Sequence, residues 1–378
     1  MKILFFSPYY YPYTSGVTTY PQKIFSYLAK KNEIAVLTFR FDQQLSNQET
    51  YNQIAITRMP YWFKVSKGFI SPQSLIYFYK YAKNSDLIIL NQPNFEGLFL
   101  AIIGKILNKK IISIFHCQVF LEGNLFTKIA NFILNISMKI QLYSSDRIVA
   151  YTKDYIDSLF YFKKFINKTV DVLPPIQKAI EDKEYFKKLT QLKKNNIWIG
   201  YAGRISSEKG LEYLVKAMKQ FNNKTMTLVF AGPYGKDVAG ENIYYDRIVR
   251  LLKEYKINHL FFGNLSSNQL SSFYKSIDIL VLPSINQTEA FGMVQAEAML
   301  SGTPVIASNL PGVRTPIKIT KMGIIVEPKN IEQLSQAIKN ILDKKSEFTN
   351  IDLVKNVRNV FNINKVYKFY DSLISEKN

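Results

Sequence analysis

Two acids, Glu289 and Glu297, bracket the run EAFGMVQAE, and between them lie the backbone N–H groups of a helix entry. An apolar run, Ile277 to Leu282, stops at Pro283 and predicts a buried strand. A polar loop, Ser284 to Thr288, leads to Glu289, and a helix is expected over 292–300, stopped by Gly302 and Pro304. The two carboxylates therefore belong to a loop-to-helix junction and to the helix itself. Between them come Ala290 and then the N–H groups of Phe291, Gly292, Met293 and Val294 at a helix N-terminus. Unpaired donors and the positive end of the helix dipole suit a phosphate there, and Gly292 has no side chain to hold it off. Carboxylates are poor partners for phosphate but good acceptors for hydroxyls. The constellation asks for a ligand with phosphate in its middle and hydroxyls on both sides, as in a sugar nucleotide.

The elements that must position these groups alternate in a βα rhythm. KILFFS, IAVLTF, LIILNQ, KIISIFH and RIVAYT read as strands in the first half, with helices over 21–32, 98–107 and 126–143. NIWIGYAGR, TLVFAG, LFFGNL, DILVLPS, TPVIAS and GIIVEP follow, with helices near 211–221, 244–256, 268–276, 292–300 and 331–343. Strands alternating with helices argue for an α/β chain with two doubly wound parallel sheets, whose ligands sit outside the carboxyl ends of the strands. Pro174-Pro175 makes a stiff joint, which places the domains at 1–174 and 175–362.

The run TEAFGMVQAEAMLSGTPVIAS, with its Glu-x7-Glu spacing at Glu289 and Glu297, resembles the signature of retaining glycosyltransferases of the GT-B fold, family 4. The resemblance implies two Rossmann-like domains facing a cleft, with a C-terminal helix (363–378) packing back on the first. It implies that 175–362 takes a nucleoside-diphosphate sugar, UDP- or GDP-linked, and that 1–174 takes the acceptor. Glu297 would hold the ribose hydroxyls and Glu289 those of the donor hexose. Arg204-Ile205-Ser206-Ser207-Glu208-Lys209-Gly210 is similar to the family's Gly-Arg-x4-Lys-Gly element, so Arg204 and Lys209 would hold the diphosphate. Two fixed cations can neutralise charge growing on a leaving phosphate. Gly16, entering a helix after the first strand, would add backbone donors, although the family's Gly-Gly pair is Ser15-Gly16 here. His116, followed by Cys117 where the family often has Asp, would face the donor sugar. Gly263, Asn264 and Leu265 would lie near the nucleobase.

Composition sets the outer bounds. At 378 residues, 47% of them hydrophobic, the chain is long enough for two cores. One cysteine rules out an intramolecular disulfide framework and fits a reducing cytoplasm. MKILFF is too short for a signal peptide, and LFLAIIGKIL is broken by Lys105, so no span is expected. No Asp-x-Asp, His/Cys cluster, dinucleotide fingerprint or P-loop appears, so neither a metal nor a cofactor is expected.

The formal charge is +20, and each side of Pro174 carries +10, which implies an anionic partner. From Tyr51 to Ser85 there are five basic residues (Arg58, Lys64, Lys67, Lys80, Lys83) and no acid, interleaved with Tyr61, Trp62, Phe63, Phe69, Tyr77, Phe78, Tyr79 and Tyr81. Such a mixture suits the headgroup region of an anionic bilayer. The expectation is a cytoplasmic, peripheral enzyme of glycolipid or cell-envelope biosynthesis acting on a lipid-linked acceptor at the inner membrane face. A soluble sugar or polysaccharide acceptor is the rival within the class. The rival from another class is a nucleic-acid- or sugar-nucleotide-binding protein without catalysis. No nucleic-acid motif organises the basic residues, so nucleic acid is not expected as a partner.

Overall fold

The computed structural model describes residues 1–65, 67–119, 125–221, 225–235 and 241–376. The last two residues of the expected terminal helix, Lys377 and Asn378, lie outside them. The chain forms two compact units, Met1–Pro175 with Ile363–Asn378, and Ile176–Asn362.

The first unit is built on strands β1 (Lys2–Phe6), β2 (Glu33–Phe39), β3 (Gln48–Tyr51), β4 (Ile54–Met59), β7 (Leu87–Gln92), β8 (Lys110–Phe115), β9 (Arg147–Ala150) and β10 (Thr169–Asp171). Their order is β10-β9-β8-β7-β1-β2-β4-β3, parallel except for the edge strand β3. A small hairpin, β5 (Phe63–Val65) with β6 (Gly68–Ile70), stands apart from this sheet. Buried on both faces, the central strands are nearly continuous apolar runs: Ile3–Phe6 and Leu87–Leu90 are all within 1% of full burial. Helices α1 (Gly16–Leu28), α2 (Ser74–Lys83), α3 (Gly97–Ile106) and α4 (Leu125–Ser144) provide crossovers, and α3 packs beside both α2 and α4. The helix Ile363–Ser375 packs on α1: Tyr20 and Tyr370 hydroxyls meet at 2.7 Å, and Tyr27 stacks on Tyr367.

The second unit carries β11 (Ile197–Ala202), β12 (Met226–Ala231), β13 (His259–Phe261), β14 (Ile279–Leu282), β15 (Val305–Ser308) and β16 (Gly323–Val326) in the order β13-β12-β11-β14-β15-β16, all parallel. Each strand overlaps one of the six read from the sequence, although β13 ends at Phe261, before most of LFFGNL. Helices at Lys183–Lys193, Thr315–Thr320, Lys345–Thr349 and Ile351–Val360 are additions.

The stretch 51–85 corrects the sequence reading. Its basic and aromatic residues do not form one surface. Arg58 lies in β4 with its side chain buried, ion-paired to Glu49 across the β3–β4 ladder at 2.6 Å and donating to the carbonyls of Ser46 and Tyr11. Phe69 and Phe78 join the core with Phe6 and Phe39. Lys64 lies over the rings of Tyr61 and Phe69. Trp62 and Tyr79 stay exposed. No helix among the described residues is long and apolar enough to cross a membrane.

Candidate active site

In the second unit the chain runs from β11 outward through β12 and β13, then returns across β11 to start β14. The order therefore reverses between β11 and β14, and in open α/β sheets ligands bind beyond the carboxyl ends of strands at such a reversal. The loops that leave these two ends are 203–210 and 283–292, the loops that carry the charged motif residues.

The first loop is fixed from beneath. The buried Tyr201 hydroxyl donates to the Arg204 carbonyl at 2.6 Å. Burial, with the Glu289 and Glu208 charges, pushes this phenol well above its ordinary pKa, so it is a donor at any physiological pH. The loop ends at Gly210, whose φ of +63° starts the helix Leu211–Met218. A Cβ there would lie 2.6 Å from the Pro283 carbonyl and 2.4 Å from Ile285, so glycine lets the two loops touch. The Ile285 N–H in turn donates to the Glu208 carbonyl.

In the second loop, a turn at Asn286–Thr288 delivers Glu289 against the first: Lys209 Nζ meets Glu289 Oε2 at 2.5 Å, with both side chains about 15% exposed. Arg204 pairs with Glu208 at 3.2 Å and is half exposed. Burial pushes the Glu208 carboxyl up, but the Lys209 and Arg204 charges outweigh it and hold the group below the usual carboxylate range. Two cations and two carboxylates thus share one patch.

After Ala290 and Phe291, both buried, Gly292 adopts φ +74° as N-cap of the helix Met293–Leu300. A Cβ at Gly292 would lie 2.3 Å from the Leu282 side chain, so the glycine is required by the backbone itself, beyond any ligand. The first N–H groups of this helix, at Met293 and Val294, have no intrahelical partner. Glu297, on the helix, accepts from the Tyr274 hydroxyl at 2.8 Å. Tyr274 is buried, which with the Glu297 charge holds its phenol well above the ordinary pKa.

Three contributors escaped the sequence reading. Tyr274 comes from the helix Ser267–Ser276, and nothing in its own segment marks it. Gln295, fully buried, donates to the carbonyls of Phe291 and Val313 and so ties the helix entry to the 311–313 loop. The Ser284 hydroxyl is buried with no hydrogen-bond partner among the described residues. Gly263, with φ +68° and open space on its Cβ side, precedes Asn264 and Leu265 beyond β13, two strands from β11. The Gly263 carbonyl accepts from Gly232 N–H.

The other two positions read from the sequence belong to the first unit. Gly16 is exposed at the start of α1, whose N-cap Ser15 forms a capping box with Thr18. His116 follows β8 and is 1% exposed. Asn91 Nδ2 donates to Ser7 Oγ and to the Val17 carbonyl, which turns Oδ1 toward His116 Nε2 at 2.6 Å. Nε2 therefore carries the proton, and Nδ1 takes the hydroxyl of Tyr151. Burial lowers the imidazole pKa to about 3, so the ring is neutral with both nitrogens engaged. That setting does not match a side chain meeting a sugar hydroxyl. Among the described residues no three His, Cys, Asp or Glu side chains are grouped to hold a metal ion.

Residues 182–360 match the family described as Glycosyl transferases group 1. In sequence the chain is similar to an uncharacterized glycosyltransferase of Methanocaldococcus jannaschii, 34% identical over 163 residues, 43% of this chain and 40% of that one. It is also similar to the lipopolysaccharide 1,2-N-acetylglucosaminetransferase of Salmonella typhimurium, 35% identical over 116 residues, 30% of each chain. The matches thus span well under half the length of these curated relatives. In fold it is similar to HepE of Anabaena in complex with UDP and glucose, with TM-score 0.80 over 100% of both chains at 18% identity. The chain has the GT-B class of fold, two parallel-sheet α/β domains, and its second unit carries a glycosyl transferases group 1 domain.

Proposed function

We propose that this protein is a retaining family 4 glycosyltransferase that moves a hexose from a nucleoside-diphosphate sugar to a lipid-linked acceptor at the cytoplasmic membrane face. The observation that carries the reading is the Lys209–Glu289 pair beside the N-terminus of the helix Met293–Leu300, with Glu297 on that helix. Glu297, oriented by Tyr274, takes the ribose hydroxyls. The diphosphate rests on the Met293 and Val294 N–H groups and draws Lys209 and Arg204 from their carboxylates. Release from Lys209 leaves Glu289 to accept from the sugar hydroxyls. Gly263 to Leu265 border the base.

In this reading the acceptor oxygen bonds to the anomeric carbon on the face the diphosphate leaves, and the hydroxyl proton passes to the departing phosphate oxygen. Arg204 and Lys209 stabilise the charge left on it. The first unit takes the acceptor, and His116 acts as a positioning residue there through Asn91 and Ser7. UDP- and GDP-sugars are the donors to try first, since relatives in fold bind UDP.

The test is nucleoside-diphosphate release from UDP- and GDP-hexoses with membrane lipid as acceptor. Donor-specific release accompanied by a new glycolipid supports the reading. Binding of donor without any transfer, to lipid or to soluble sugar, makes the protein a non-catalytic sugar-nucleotide binder.

A further inference from the structure

Helix α4 carries apolar side chains on its outward face as well as its inward one, unlike an ordinary surface helix. Its inward face is mixed: Met138 and Leu142 join the core beside the buried Ser137 and Gln141. Ser137 Oγ donates to the Phe95 carbonyl at 2.7 Å, and the fully buried Gln141 donates to the Asn94 carbonyl at 2.8 Å. Its outward face is apolar: Ile129, Phe132, Ile133, Ile136, Ile140 and Tyr143 recur at helical spacing and are all exposed, Phe132 by 65%. A helix of 20 residues at about 1.5 Å per residue makes this a stripe roughly 30 Å long. On the neighbouring α3, Phe99, Ile102 and Ile106 are exposed as well. Contiguous apolar surface of this extent marks a contact site.

Charge identifies what it contacts. α2, α3, α4 and the 160–168 segment contain lysines and no acid. At about 3.6 residues per turn, Lys128 and Lys139 fall along one edge of the α4 stripe. A two-fold contact between copies would set these lysines against their own kind, since such an interface uses the same patch twice. An anionic bilayer satisfies both features, because apolar side chains enter at the headgroup boundary while lysines reach lipid phosphate.

We propose that the outward face of α4, continued by α3, docks on an anionic lipid surface. Its purpose rests on the membrane-bound acceptor proposed above; its geometry does not. The surface differs from the basic-aromatic stretch 51–85, whose Arg58, Phe69 and Phe78 are buried.

The test is flotation of the full chain with phosphatidylcholine vesicles, with and without phosphatidylglycerol. Three proteins are compared: wild type, Phe132→Ser with Ile136→Ser, and Lys128→Glu with Lys139→Glu. All these side chains are exposed, so the melting temperature should not move. Wild type should float with the anionic vesicles, and each double variant should bind at least about tenfold more weakly. Equal binding by the variants, or equal recovery with purely neutral vesicles, overturns the proposal. So does a wild-type dimer in light scattering that Phe132→Ser with Ile136→Ser converts to monomer. The thermal response to UDP- and GDP-hexoses is read on the same proteins; unchanged response with lost flotation separates docking from donor binding.

Discussion

The two units apply the same topology to different ends. Each sheet reverses its strand order beside its first strand, β1 next to β7 and β11 next to β14. At the β1–β7 ends, Ser7, Asn91, His116 and Tyr151 close on one another in a buried network. At the β11–β14 ends, Arg204, Glu208, Lys209 and Glu289 pair off while keeping contact with solvent. A buried network already has its hydrogen bonds and rewards only the folded state. Ion pairs that keep an edge in solvent can exchange partners when an anion arrives. A strand-end position therefore does not by itself predict a ligand contact. What distinguishes the two is whether the side chain's hydrogen-bonding capacity has been consumed.

The comparison can be broken most forcefully at Glu289. Glu289→Gln should lower transfer by on the order of 10²–10³-fold in a protein that circular dichroism shows to be folded. A variant with full activity would place the chemistry elsewhere. His116→Ala is the counterpart in the first unit. It strips Asn91 Oδ1 of its donor in a buried site and should cost about 1–3 kcal/mol of stability in denaturant titration. Donor affinity should be unmoved; a lost donor response in a folded protein would return His116 to the sugar.

Tyr274→Phe removes one hydrogen bond to Glu297 and should weaken donor binding by about 1 kcal/mol in calorimetry. An unchanged Kd would mean that Glu297 needs no such orientation.

The smallest effect is a pH slope. The imidazole of His116 titrates near 3 when folded and near 6.5 when unfolded, so below 6.5 the unfolded chain takes up a proton that the native state refuses. Its contribution is complete above pH 6.5 and is lost as pH falls toward 3, at up to about 1.4 kcal/mol per pH unit. Glu96 acts in the opposite sense. Burial raises its carboxyl to about 7, against backbone N–H bonds from Phe69 and Phe95, so its contribution is lost as pH rises from 4.5 toward 7. The difference between wild type and His116→Ala in stability against pH isolates the histidine. Parallel curves would show that the ring is not held neutral.

Much of this was legible in the sequence, and the gaps have physical causes. Apolar strand runs and glycine stops marked all six strands of the second unit, and the loops carrying Arg204–Gly210 and Glu289–Gly292 follow strand ends as read. Tyr274 and Gln295 were invisible because they act across elements, and a contact between a helix and a distant loop has no local pattern. The stretch 51–85 misled because a one-dimensional mixture of cations and rings looks the same whether Arg58 is in solvent or ion-paired inside a sheet. In α4 apolar residues occur on both faces, so the sequence announces a helix but not which face is inward; the bonds of Ser137 and Gln141 to the 94–95 backbone, with Met138 and Leu142 buried beside them, show it. His116 stands at a strand end, and its saturation by Asn91 and Tyr151 comes from neighbouring strands.

The central claim is that a sugar nucleotide is held at the β11–β14 reversal by Lys209, the helix entry and Glu297. Its most direct test is the melting temperature of wild type, Lys209→Met, Glu297→Ala and His116→Asn titrated with UDP-, GDP- and ADP-hexoses. A ligand that binds only the native state raises it by an amount set by concentration over Kd. One donor should stabilise wild type and His116→Asn, with the response strongly reduced in the other two. A response equal in all four proteins, or none to any donor, would contradict the account.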